Sequence, residues 1–176
     1  MNVNEIFLFL FLTIILVIAA INDIRLRRIP NWLTYPAMIV AVVYHTGMKG
    51  LGGLLFSMEG LGVGIAIMLV IYLVGGTGAG DVKLMGAIGA FLGPKSVLSA
   101  FLFTSIVGGV YAIVLLVLNG YLRKTIKRYW LIIKSFFLTK NFLYIPPSEK
   151  EKKQVLRYGI AISLGTFISV FLGIKI

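Results

Sequence analysis

Long apolar runs, separated by short polar or glycine-rich joints, divide this chain. The first covers residues 5–22, close to the ~20 residues that cross a bilayer core as a helix. It has no basic start and no clear small-residue cleavage site, and further apolar runs follow. It therefore reads as a retained helix and not a signal peptide. Pro30 stops the pattern and Asn31 can cap the next helix. Residues 32–47 form a second run, with Trp32 and Tyr35 at the level where aromatic rings favour the membrane–water boundary. Residues 48–59 read as a short, partly helical connection. Residues 60–75 are a third run, in which Gly60 and Gly64 have the spacing that lets helices pack closely. The stretch Gly75-Gly76-Thr77-Gly78-Ala79-Gly80 is too glycine-rich to continue a helix cheaply.

The fourth run, residues 82–93, is short for a span. Gly86, Gly89 and Gly93 suggest that it packs against other helices instead of lipid. Pro94 and Lys95 end it, and residues 96–118 and 156–174 supply two more runs. Between these last two, Leu122, Ile126, Tyr129, Ile133 and Phe137 recur at helical spacing among lysines and arginines. That is the pattern of a basic amphipathic helix lying on a membrane. Residues 145–153 read as a polar loop. The fold class expected is all-α: one domain over residues 1–176, a polytopic membrane bundle of about six transmembrane helices. Residues 120–155 would form its basic cytoplasmic or interfacial connection.

Composition sharpens this picture. Of 176 residues 59% are hydrophobic and 13% charged, and the mean hydropathy is +1.00. A soluble domain of this size needs a more polar surface. The net charge of +11 sits in the joints, so it argues for membrane orientation and anionic-lipid contact and not for nucleic acid. With the loop after the first run placed inside, the cytoplasmic joints hold Arg25, Arg27, Arg28, Lys83 and ten basic residues from Arg123 to Arg157. Lys49, Lys95 and Lys175 are left outside. Six spans then put both chain ends outside and the site-bearing joints in the cytoplasm, in a cell inner membrane. Cysteine is absent, which excludes disulfides, thiolate zinc sites and cysteine nucleophiles. The single His45 makes no histidine-rich metal site, and no cofactor is implied.

Candidate chemistry rests on two of only six acidic residues. Asp23 and Asp81 stand at the ends of apolar runs, and an ionisable group at membrane depth is by default a functional group. The charge count, made without reference to them, places both at the same border. Two carboxyl groups a few ångströms apart repel when both are ionised, so such a pair holds one proton near neutral pH. The ionised member can take a proton from water and the protonated member can donate to a carbonyl oxygen, which is the equipment for amide hydrolysis. The glycines before Asp81 let a backbone approach closely, and amide groups near a helix start can bind a peptide carbonyl. Each aspartate also has a plainer reading. Asp81 can be a helix N-cap, and Asp23 an ion pair with its neighbouring arginines. Lys83 either tunes the local field or extends toward lipid phosphates. Glu59 reads as interfacial and His45 as structural. The GTGAG run lacks the strand–turn–helix setting of a nucleotide site.

The segments Asp23-Ile24-Arg25-Leu26-Arg27-Arg28-Ile29-Pro30-Asn31 and Gly78-Ala79-Gly80-Asp81-Val82-Lys83 resemble the two signature stretches of type IV prepilin peptidases. The second matches that family's G-x-G-D-x-K pattern. Arg157-Tyr158-Gly159-Ile160-Ala161-Ile162-Ser163-Leu164-Gly165 is similar to the family's last helix, with Arg157 where proline is usual. The resemblance implies a membrane aspartic endopeptidase that removes short leader peptides from prepilins or pseudopilins at the cytoplasmic border. Asp23 and Asp81 would be its catalytic pair, with Gly78, Gly80 and Lys83 supporting the second aspartate. Larger family members carry a cysteine-bound zinc in an N-terminal cytoplasmic extension and an N-methyltransferase activity. This chain opens on its first apolar run and has no cysteine, and so resembles the short, peptidase-only form of tight-adherence (Flp) pili. A non-enzyme reading stands beside it: a small proton-coupled transporter or channel subunit with two relay aspartates. A relay needs acids at different depths, whereas these two share one border.

Overall fold

A computed structural model describes residues 3–120 and 158–173, together with 122, 123, 125–127, 130, 131 and 134. The described residues are mostly helical and contain four principal helices: α1 (Val3–Leu26), α2 (Asn31–Leu73), α3 (Ala79–Leu118) and α4 (Tyr158–Phe171). Three of them are long and apolar enough to cross a membrane, and α4 is a shorter apolar helix. The molecule is a membrane helix bundle.

Two compact units divide the chain. The first is formed by Met1–Gly108 with Arg157–Ile176, and the second by Gly109–Leu156. In the first unit α2 and α3 are each bent at a glycine. A straight α2 of 43 residues would be roughly 65 Å long, about twice the hydrocarbon thickness. Instead Gly50 takes φ 58, ψ −138, which is open to a residue without Cβ. The chain reverses there. In a straight helix residues 45 and 56 would lie about 16 Å apart, yet the rings of His45 and Phe56 meet edge to face at 5.0 Å. The connection expected over residues 48–59 is thus itself helix, apart from one hinge residue.

In α3 the bend is at Gly93 (φ 81, ψ 173), followed by Pro94. The second arm returns toward the start of the first. Tyr158 packs against Gly108 and is also within electrostatic reach of Asp81. The break expected at Pro94 occurs one residue earlier, at the glycine that can adopt the angles.

Close backbone approach holds the arms together. A Cβ on Gly60 would run into the Gly89 carbonyl, and one on Gly89 into the Gly60 carbonyl. Gly64 lies against the Met85 carbonyl in the same manner. Without a hydrophobic driving force between helices in lipid, this van der Waals contact is what associates them. Met68, Leu84, Met85, Ile88 and Ile162 fill the centre with no exposed surface. α1 and α4 run antiparallel. Phe9, Leu16 and Asp23 meet Phe167, Ser163 and Gly159 in reverse order.

In the second unit α3 ends at Leu118, and Gly120 (φ 70) turns the chain. Of the large apolar residues described beyond it, Ile126, Trp130 and Leu131 are exposed and Leu122 is half-buried. The amphipathic segment expected over 121–139 falls mostly outside the described residues, and the loop expected over 145–153 falls wholly outside them.

Candidate active site

Asp23 stands in the last turn of α1. That helix is closed by an αL cap: the Arg27 N–H donates to the Asp23 carbonyl at 3.1 Å, and Arg27 itself takes φ 52. The bond is the C′-to-C3 contact of the αL motif. Glycine is the usual residue there, and an arginine in this region costs on the order of 1 kcal/mol. The short link to α2 then passes through Ile29 and Pro30. A shallow cleft lined by Leu26, Arg28, Ile29, Pro30 and Asn31 marks this link.

Asp81 is the third residue of α3 and is not its N-cap. Its Oδ2 accepts from the Gly78 N–H at 2.9 Å. A side chain at this position reaching back to the residue before the helix is one half of a capping box. Gly80 lies against Ile29, whose Cβ and carbonyl oxygen would be 3.0 and 3.1 Å from a Cβ placed on the glycine. Lys83 reaches the first signature stretch. Its Nζ donates to Asn31 Oδ1 at 2.8 Å and sits 5.0 Å above the Tyr35 ring. Gly80 and Lys83 therefore join the two signature stretches to each other, and Gly78 holds the acid.

Both aspartates are buried. Asp23 is 6% exposed and Asp81 8%, and each lies within electrostatic reach of the other. A buried carboxylate keeps its charge only with hydrogen-bond donors or a shared proton. One donor to Asp23 comes from α4: the Gly159 N–H bonds Asp23 Oδ2 at 2.9 Å. One turn on, Ser163 Oγ lies 3.0 Å from the Leu16 carbonyl and 2.8 Å from the Gly159 carbonyl, tying α4 to α1. Tyr158 completes the surroundings. The sequence reading placed Tyr158 and Gly159 in a stretch resembling a family motif but gave them no part in the site. The Tyr-Gly pair was the available signal.

The chain is thus a membrane helix bundle with two buried acids, each accepting from a glycine main-chain N–H. The model of the type IV leader peptidase family matches residues 10–113, and the chain belongs to that family. Both aspartates fall within the match, and Tyr158 and Gly159 lie beyond it. The chain is also 34% identical over 115 residues to the prepilin leader peptidase/N-methyltransferase of Bacillus subtilis (strain 168). That alignment covers 62% of this chain and 44% of the relative, so it spans less than half of that protein. No solved structure matches the chain.

Proposed function

We propose that this protein is a membrane aspartic endopeptidase that removes the short leader peptide of type IV prepilins of the Flp kind. The observation that supports the reading is that Asp23 and Asp81 are both buried and lie within electrostatic reach of each other. Of the two activities in the relative's name, leader hydrolysis is the one that paired carboxylates can perform.

The ionised member of the pair takes a proton from water as the water oxygen attacks the scissile carbonyl carbon. The protonated member donates to the carbonyl oxygen, giving a tetrahedral diol. Proton return to the leaving nitrogen breaks the C–N bond and restores the shared proton. The two members titrate as one unit.

The distribution of basic residues supports an active site facing the cytoplasm across a cell inner membrane, with basic joints against anionic lipid. The two hinged helices give six apolar arms together with α1 and α4, which fits six crossings. Two acids that act on each other across one site favour a hydrolase over a proton relay, whose carboxylates are spread through the bilayer.

The test is co-expression with a candidate pilin precursor, following the size shift on leader removal. Asp23→Asn or Asp81→Asn should lower cleavage by about 10³-fold or more, with expression and membrane insertion intact. Cleavage at the parental rate by either variant overturns the dyad.

A further inference from the structure

The two acids are held in the same way. Asp81 Oδ2 accepts from the Gly78 N–H, and Asp23 Oδ2 accepts from the Gly159 N–H, each at 2.9 Å. Each donor lies at a helix start, Gly78 immediately before α3 and Gly159 in the first turn of α4. Main-chain N–H groups there have no acceptor within their own helix and carry the positive end of its dipole.

The two contacts differ in what maintains them. Gly78 is three residues from Asp81, so that contact is local. Gly159 is 136 residues from Asp23, so that contact exists only while α4 packs against α1. The space is also tight. A Cβ on Gly159 would lie 2.9 Å from Asp23 Oδ2, 3.0 Å from its Cβ and 3.1 Å from its Cγ. A Cβ there could be accommodated only by a shift, and the atoms that would have to move belong to the acid itself.

Resting on the aspartic-dyad reading, we propose that Gly159 is the positioning residue of Asp23. Its N–H fixes the direction of the Asp23 carboxylate toward Asp81, and its missing side chain makes room for that carboxylate. α4 is then a third component of the active site, and the Ser163 contacts with Leu16 and Gly159 keep its first turn in register. Gly165 on the same helix has a different task. A Cβ there would strike the Thr104 backbone, so it serves packing alone.

The experiment compares Gly159→Ala, Ser163→Ala and Gly165→Ala in the purified full chain, with a synthetic leader-bearing peptide. Thermal melting is measured beside kcat and KM. Gly159→Ala is expected to lower kcat on the order of 100-fold with KM unchanged, since a misplaced catalytic group loses rate and not substrate binding. Gly165→Ala is expected to lower the melting temperature while the folded protein keeps its kcat. Should Gly159→Ala yield no folded protein, Ser163→Ala decides, with kcat about fivefold lower and KM unchanged. Parental kcat in folded Gly159→Ala, or in Ser163→Ala where that variant decides, overturns the inference. So does a loss confined to melting temperature. Asp23→Asn and Asp81→Asn run in parallel keep the two readings apart. If they are inactive while Gly159→Ala is fully active, the dyad stands and only the positioning role falls.

Discussion

Ser57 Oγ donates to the Ala90 carbonyl at 2.9 Å, the acceptor that Pro94 leaves without its helical donor. Proline has no N–H, so the carbonyl four residues before it is unpaired. Next to it, His45 Nε2 lies 3.1 Å from the Phe91 carbonyl, at the edge of the hinge opened by Gly93. A carbonyl only accepts, so the His45 ring carries its proton on Nε2. The first arm of α3, which begins at the site, is therefore closed at its far end by side chains of α2. Ser57→Ala strands a buried carbonyl and should cost about 2 kcal/mol. A clearly lowered melting temperature in detergent is expected, and parental melting would contradict the account.

The Gly60–Gly89 contact should be equally intolerant, for a different reason. Neither backbone can yield to a methyl group when the nearest neighbour of each is the other's carbonyl. Gly89→Ala is expected to destabilise the bundle by about 3 kcal/mol through overpacking. Gly62→Ala, two residues from Gly60 and with nothing within 4 Å of its Cβ, should melt like the parent. Equal melting of the two variants would show that the arms are not in the contact described.

Lys83 offers a test of how the two signature stretches are joined. Its ammonium bonds Asn31 and caps Tyr35 at an exposed site, an arrangement worth about 1 kcal/mol. Lys83→Met should lower kcat/KM about fivefold, and Asn31→Ala should add little further loss in the Lys83→Met background. Full additivity of the two losses would place their effects in separate contacts.

Orientation can be read with a single introduced thiol, because the chain has no cysteine. Gly78 is exposed beside the site. A Gly78→Cys variant should react with an impermeant thiol reagent only from the cytoplasmic side. Labelling from outside intact cells would reverse the proposed topology.

Much of the bundle was legible along the chain because lipid imposes a simple rule: a segment that crosses must be apolar for its whole length. The starts of α1 and α2, the break near Pro94, and the packed Gly60, Gly64, Gly86 and Gly89 all follow from that rule and from glycine and proline chemistry. The helical reversal at Gly50 did not. Residues 48–59 contain Gly50, Gly52 and Gly53 within four positions, and sequence spacing does not say which of them will take the left-handed angle.

The sequence by itself determined which residues are apolar enough for lipid, and which two acids stand at the edges of the apolar runs. It also carried the two signature stretches around those acids. Tertiary structure alone decided that Gly159 donates to Asp23, that Lys83 serves Asn31 and Tyr35, and that His45 and Ser57 close the hinge in α3. Each of these is a contact between residues more than thirty positions apart. Its partner is chosen by how helices pack in space, which no local pattern of hydrophobic and polar residues encodes.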